Sequence, residues 1–343
     1  MADYQSLIPV NVITGFLGSG KTTLLQRLLA SPKLANTAVL INEYGEVSLD
    51  HLLLDIVDQE TVILESGCVC CTIRGDLAEA IRELHSKRER GLIPRFNRLA
   101  IETTGLADPA PIVSTLLAEP VIRNHFRLGN VIVTIDVVNA ELHLRNNEES
   151  RKQAAIADRL VLTKSDIADT KTLDGAKRAL AQLNATAPII DVHEETFNPD
   201  ALMTSDLYDA EAKAVEVTRW LERLGQTPAD HTDDGHNHHG DDIQTFSLIV
   251  DQPIDWTAFG IWLTMLLHRH GEQVLRVKGV LNVEGQTTPV VIHGVQHVMH
   301  PPAHLEAWPD DDHRSRIVFI LRGLDPALIK RSLKTFARQH LEA

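Results

Sequence analysis

The chain has 343 residues, more than one typical domain holds and enough for two. Its formal charge is −14 and it carries no long basic run, which argues against nucleic acid as a partner. No apolar run approaches the length of a membrane span, and the first residues lack the basic and apolar regions of a signal peptide. A soluble, cytoplasmic protein with no membrane partner is therefore expected.

In chain order, residues 10–13 read as a short buried strand and residues 22–29 as a helix with an apolar stripe. Between them lies Gly15-Phe16-Leu17-Gly18-Ser19-Gly20-Lys21-Thr22-Thr23, which contains Gly-x-x-x-x-Gly-Lys-Thr, the phosphate-binding loop. Such a turn points successive backbone N–H groups at a polyphosphate, with the helix dipole behind them. Lys21 would reach the β- and γ-phosphates, and the Thr22 hydroxyl would hold Mg²⁺. Gly15, Gly18, Ser19, Gly20, Lys21, Thr22 and Thr23 form the expected phosphate-binding set.

Residues 37–41 give a second strand, running into the polar Asn42-Glu43-Tyr44-Gly45-Glu46 segment. A third strand, 61–64, leads to Cys68-Val69-Cys70-Cys71, which holds all three cysteines of the chain. Three thiols so close together cannot build a disulfide framework. Thiolates are soft ligands for Zn²⁺, and three from one loop would leave a coordination position open. A redox-reactive or buried thiol cluster is the alternative.

A helix is expected over 76–90, and a fourth strand over 98–102 ends in Glu102, followed by Thr103-Thr104-Gly105. An acid there can hold Mg²⁺ through water, and the Gly105 N–H can contact a γ-phosphate. Strands follow at 131–136 and 159–162, the second running into Thr163-Lys164-Ser165-Asp166. The Asp166 carboxylate would accept from guanine N1–H and N2–H₂ together, with Lys164 along the base plane. Adenine cannot offer that pairing. A helix over 173–183, a strand over 189–192 and a helix over 210–224 complete an alternation that predicts a parallel sheet covered by helices.

Residues 226–242 are polar, acidic and rich in histidine, with His231, His236, His238 and His239 among them. They read as a linker, and weak metal collection or plain solvation suits them equally. Beyond it the order is strand 245–250, helix 255–269, strands near 274–283, 289–293 and 316–321, then helix 326–339, an α+β pattern. His293, His297, His300 and His304 read as scattered surface histidines, since Pro301 and Pro302 break any helix that could gather them.

These motifs, in this order, resemble the CobW-type GTPases, metallochaperones of the P-loop class that also holds the hydrogenase and urease nickel-insertion GTPases. Thr163 in place of the usual Asn is ordinary in that family. The resemblance implies a P-loop GTPase domain over 1–225, the His-rich linker over 226–242 and an α+β C-terminal domain over 243–343. It implies a GTP-hydrolysing chaperone of Zn²⁺ or Co²⁺ that serves a metal-requiring client protein, with Mg²⁺ as cofactor. Cys68, Cys70 and Cys71 become metal ligands, and Glu43 and Glu46 switch residues near Mg²⁺ or the metal. Lys21, Glu43 and Glu102 form the catalytic set, and Gly105, Thr163, Lys164 and Asp166 contact the nucleotide. Ile41 stands where some relatives carry an acidic residue, which puts any additional carboxylate metal site in question for this chain. A GTP-binding metal buffer is the second reading; a kinase would not need Asp166. Oligomeric state is left open.

Overall fold

Seven runs rich in Val, Ile and Leu assemble into one parallel sheet: β1 (Ile8–Gly15), β2 (Thr37–Asn42), β3 (Ile63–Ser66), β4 (Arg98–Glu102), β5 (Phe126–Asp136), β6 (Arg159–Thr163) and β7 (Ile189–Asp191). Their order is β3-β2-β4-β1-β5-β6-β7. The computed structural model describes residues 4–42, 63–66, 73–204, 206, 213–226 and 243–341. Glu43, Glu46, Cys68, Cys70, Cys71, His231, His236, His238 and His239 lie outside them.

On β1, Val10, Asn11, Val12, Ile13 and Thr14 are all fully buried, so both faces of the sheet are covered, as a doubly wound parallel sheet requires. The helix Lys21–Leu29 is too short to persist alone. It is held by Leu24, Leu25, Leu28 and Leu29, which are buried in one cluster with Ile13, Val39 and Ala100. Each such leucine contributes on the order of 1.5–3 kcal/mol by leaving water. Because every pairing in this sheet is parallel, the ends of all seven strands lie along one edge. Register sets Ile13 beside Glu102, Gly15 beside Thr134, Asp136 beside Thr163, Leu162 beside Asp191, and Asn42 beside Ser66.

The chain divides into two compact units, the first being Met1–Ala181 with Ala187–Ala210 and the second Gln182–Thr186 with Glu211–Ala343. In the second, β8 (Ile243–Val250), β9 (Val274–Leu281), β10 (Val290–Val295), β11 (Val298–Met299) and β13 (Ser315–Arg322) form an antiparallel sheet ordered β11-β10-β9-β13-β8, with β12 (Ala303–His304) on β10. The helix Trp256–His270 starts where the Asp255 carboxylate accepts from the Ala258 N–H at 2.7 Å, an N-cap. Its Phe259, Trp262 and Leu263 pack with Val277, Ile292 and Phe319, and the Trp262 indole donates to the Ser332 hydroxyl of helix Pro326–Leu341 at 3.0 Å.

His297 and His304 are exposed as expected, but the surface reading fails for His293 and His300. Both are buried, with rings stacked 4.3 Å apart at 4°. Nη2 of Arg276 lies 2.7 Å from Nε2 of His293. Arginine can only donate, so Nε2 accepts and the ring is neutral with its proton on Nδ1. Burial first, then the Arg276 charge and the His300 and Lys278 groups, hold the His293 imidazole well below its ordinary range. A group depressed in this way is protonated first in the unfolded chain, so the stability tied to its neutrality is full above about pH 6.5 and is lost as pH falls below it. All four tryptophans, Trp220, Trp256, Trp262 and Trp308, belong to the second unit, so their fluorescence follows its unfolding. Urea midpoints at pH 7.5 and 5.5 should drop with acid in the unmutated chain and drop less in His293→Gln. Equal drops would show that another group carries the dependence.

Candidate functional site

At the end of β1, Gly15 has a φ of 146°, and an added Cβ would lie 2.3 Å from Oγ1 and 2.5 Å from the carbonyl oxygen of Thr134. Only glycine fits there. The loop that follows is fastened from behind by hydroxyl groups. Thr134 donates to the Thr14 carbonyl at 3.2 Å, so the 2.7 Å contact between Ser19 and Thr134 has Ser19 as donor. Thr163 donates to the carbonyls of Ser19 at 2.8 Å and Ile135 at 3.1 Å. The Thr163 side chain thus braces the phosphate loop from β6.

Gly20, at φ 86°, opens the helix without a side-chain cap, which leaves its first-turn amides to a ligand. Nζ of Lys21 donates to the carbonyls of Gly15 at 3.2 Å and Phe16 at 3.3 Å, drawn back over its own loop. Those carbonyls are weak partners for an ammonium compared with a triphosphate. Thr23 is exposed beyond the loop.

Beside the loop, the Thr22 hydroxyl donates to Oε1 of Glu102 at 2.6 Å, and Glu102 is only 5 % exposed. A hydroxyl and a buried carboxylate, side by side at the head of a phosphate loop, are the hard oxygen donors that suit Mg²⁺. Thr103 donates its hydroxyl to that of Thr14 at 2.7 Å and its N–H to the Ile13 carbonyl at 3.0 Å, tying the end of β4 to β1.

Gly105 then passes so close to the phosphate loop that a Cβ would stand 2.7 Å from both Cα and N of Leu17. Gln153 pins this turn by donating to the carbonyls of Gly105 at 3.2 Å and Ala107 at 2.9 Å. Gly105→Ala should therefore displace one loop or the other. Since a shift of about 1 Å can cost on the order of 10²-fold in rate, nucleotide hydrolysis should fall about 10- to 100-fold with little change in melting temperature. Unchanged turnover in that variant would mean that this approach has no bearing on the chemistry.

Across the sheet edge, Lys164 adopts a left-handed φ of 57° and its Nζ donates to Oδ2 of Asp136 at 2.7 Å. Asp136 also accepts from the Val138 N–H at 3.0 Å and the Asn139 side chain at 2.9 Å. Burial pushes its carboxyl up, but the hydrogen bonds from Lys164 and Asn139 together with the Lys164 charge outweigh it and hold the group below its ordinary value. Asp136 thus stays ionised and fixes Lys164. The Asp166 carboxylate is exposed, with Nε2 of His193 lying 3.0 Å from its Oδ1.

The structure thus gathers Gly15, Ser19, Lys21, Thr22, Glu102 and Gly105 in one hydrogen-bonded corner, and sets Lys164 and Asp166 at the end of β6 along the same edge. Thr134 and Asp136 also belong to the site, though no motif names them; their only signal in the sequence is a position at the end of a long apolar strand. Among the described residues no group of three or more His, Cys, Asp or Glu is placed to hold a metal ion.

Residues 9–191 match the family described as CobW/HypB/UreG, nucleotide-binding domain, and residues 243–337 match the cobalamin synthesis protein cobW C-terminal domain. The chain is 32% identical over 313 residues to the zinc chaperone YjiA of Escherichia coli, covering 91% of this chain and 93% of that one. It is 28% identical over 353 residues to the zinc-regulated GTPase metalloprotein activator 1 of Schizosaccharomyces pombe, covering 92% and 83%. Among solved structures, the Zn(II)-bound YjiA GTPase from E. coli aligns with a TM-score of 0.67 at 25% identity, over 96% of this chain and 99% of that one.

Proposed function

The chain belongs to the CobW/HypB/UreG family, and from that membership we propose that it is a GTPase metallochaperone that loads Zn²⁺ or Co²⁺ into a client protein. The observation that carries the hydrolytic part is the 2.6 Å bond between Thr22 and Glu102, which joins the phosphate loop to the end of β4. The metal part is supported by the names of two relatives, a zinc chaperone and a zinc-regulated metalloprotein activator.

GTP is held by the loop amides, with Lys21 leaving the Gly15 and Phe16 carbonyls for the β- and γ-phosphates. Thr22 and Glu102 would hold Mg²⁺, which supplies charge neutralisation for the phosphates when bound. Asp166 selects guanine and Lys164, fixed by Asp136, lines the base. Glu43 is proposed as a catalytic switch residue. Glu46, Cys68, Cys70 and Cys71 are proposed as ligands of the cargo metal.

Sequence and register together favour this arrangement. Glu43 follows Asn42 directly, Cys68 comes two residues after Ser66, and Asn42 and Ser66 are register partners on adjacent strands. The strands β2 and β3, which precede these two segments in the chain, therefore end at the edge of the sheet that carries the phosphate loop. The test is GTP turnover measured with and without one equivalent of Zn²⁺, with ATP as competitor. Turnover that responds to Zn²⁺ and is indifferent to ATP is expected. Turnover blocked equally by ATP, or unaffected by metal, would contradict the proposal.

A further inference from the structure

The strand β7 ends at Asp191, a residue only 6 % exposed, whose Oδ1 accepts from the Ser165 hydroxyl at 2.5 Å and from the His193 N–H at 2.9 Å. Ser165 is the chain neighbour of both Lys164 and Asp166, so one buried carboxylate joins the turn after β6 to the turn after β7. The second turn is held elsewhere as well. Arg27, on the helix that follows the phosphate loop, donates to the Val192 carbonyl at 2.7 Å and places its guanidinium 4.5 Å from the Phe197 ring centroid. The Glu194 N–H donates to the Asp191 carbonyl at 3.3 Å and the Phe197 N–H to the Glu194 carbonyl at 3.0 Å, closing consecutive turns. A loop fixed at Asp191, Val192 and Phe197 leaves the His193 backbone little freedom, and its imidazole Nε2 lies 3.0 Å from Oδ1 of Asp166. Asp166, His193, Asp191 and Ser165 form a closed ring.

We propose that His193 is a positioning residue of the guanine site that holds the Asp166 carboxylate in the plane needed to accept two hydrogen bonds from the base. This rests on the reading of Asp166 as the guanine-selecting group. The physical reason is geometric. A carboxylate on a half-exposed aspartate rotates freely, and a bidentate contact to N1–H and N2–H₂ needs one rotation. An imidazole fixed at its own backbone and set against one oxygen removes that freedom before the base arrives, and the second lone pair of that oxygen remains for the base. The ring also ties base selection to the phosphate-loop helix through Arg27.

The experiment compares the unmutated chain with His193→Ala, His193→Gln and Asp166→Asn, measuring kcat and KM for GTP, ITP, XTP and ATP. ITP lacks the 2-amino group, so it uses only one of the two bonds. In His193→Ala the KM for GTP should rise about 10-fold with kcat unchanged, and the preference for GTP over ITP should shrink, the pattern of lost uniform binding. His193→Gln, whose amide can donate to Asp166, should restore much of that preference. Loss of kcat, or equal weakening of GTP, ITP and ATP in His193→Ala, would reduce His193 to a structural residue and overturn the proposal. Unchanged KM values in His193→Ala, beside an Asp166→Asn that turns toward XTP, would overturn it while leaving the Asp166 reading intact. An Asp166→Asn that keeps its preference for GTP over XTP would remove the Asp166 reading itself.

Discussion

Lys21→Ala should abolish GTP hydrolysis, with a fall on the order of 10²–10³-fold or more, while the melting temperature stays close to that of the unmutated chain. The first half follows from charge. Lys21 is the cation of the phosphate-loop motif, and losing a charged group proposed to meet developing transition-state charge costs about that much. The second half follows from its partners. Nζ donates to carbonyl groups of its own loop, Gly15 at 3.2 Å and Phe16 at 3.3 Å, and the packing of the helix rests on Leu24, Leu25, Leu28 and Leu29. Phosphate release with scanning calorimetry checks both. Turnover at the unmutated rate would remove the assignment of the loop, and a large drop in melting temperature would mean that Lys21 is chiefly structural.

Glu102→Gln should have the second-largest effect, and it should be read as a dependence on Mg²⁺. The Gln carbonyl oxygen can still accept from the Thr22 hydroxyl, so the 2.6 Å link and the local fold survive. The negative charge does not. GTP should still bind, the Mg²⁺ concentration needed for half-maximal turnover should rise at least about 10-fold, and kcat should fall on the order of 10²-fold. A normal Mg²⁺ titration would move the ion's carboxylate partner away from Glu102.

The parallel sheet was legible because its strands are short continuous runs such as Leu160-Val161-Leu162, which a sheet covered on both faces requires. The first half of β5 was not. Phe126-Arg127-Leu128-Gly129-Asn130 reads as polar and broken, yet it is buried because its polar groups find distant partners. Arg127 pairs with Asp206 at 2.5 Å, the Asn130 amide group reaches the Leu202 carbonyl at 3.0 Å, and the Asn130 N–H reaches Asn11 at 2.9 Å. No local period reveals a partner some 70 to 120 residues away. The same reason hid the burial of His293 and His300, since neither the Arg276 contact nor the ring stack has a sequence spacing that marks it.

The helices Ala110–Ala118, Ala140–Asn146 and Glu148–Ile156 were missed for other reasons. The first buries Ala110, Ile112, Val113, Thr115 and Leu116 and so shows no polar face, and the other two are short and meet at Asn147. In the site, motif chemistry named the groups proposed to meet substrate. It could not find Thr134 and Asp136, which hold those groups, because their roles come from strand register.

The central claim is that GTP and the cargo metal share one switch. Asn42 and Ser66 end neighbouring strands in register on the edge of the sheet that carries the phosphate loop, and the Glu43–Glu46 and Cys68–Cys71 segments follow them in the chain. If the γ-phosphate orders those segments, each ligand must strengthen the other's binding by the same factor. The direct measurement is Zn²⁺ affinity by competition with a chelator, first with GDP and then with a non-hydrolysable GTP analogue plus Mg²⁺, on the unmutated chain and on Cys70→Ser. The expected result is a difference between the two nucleotide states of about 5- to 150-fold, a coupling of roughly 1–3 kcal/mol, lost in Cys70→Ser. Equal Zn²⁺ affinity in both states would contradict the switch and leave a GTP-binding metal buffer.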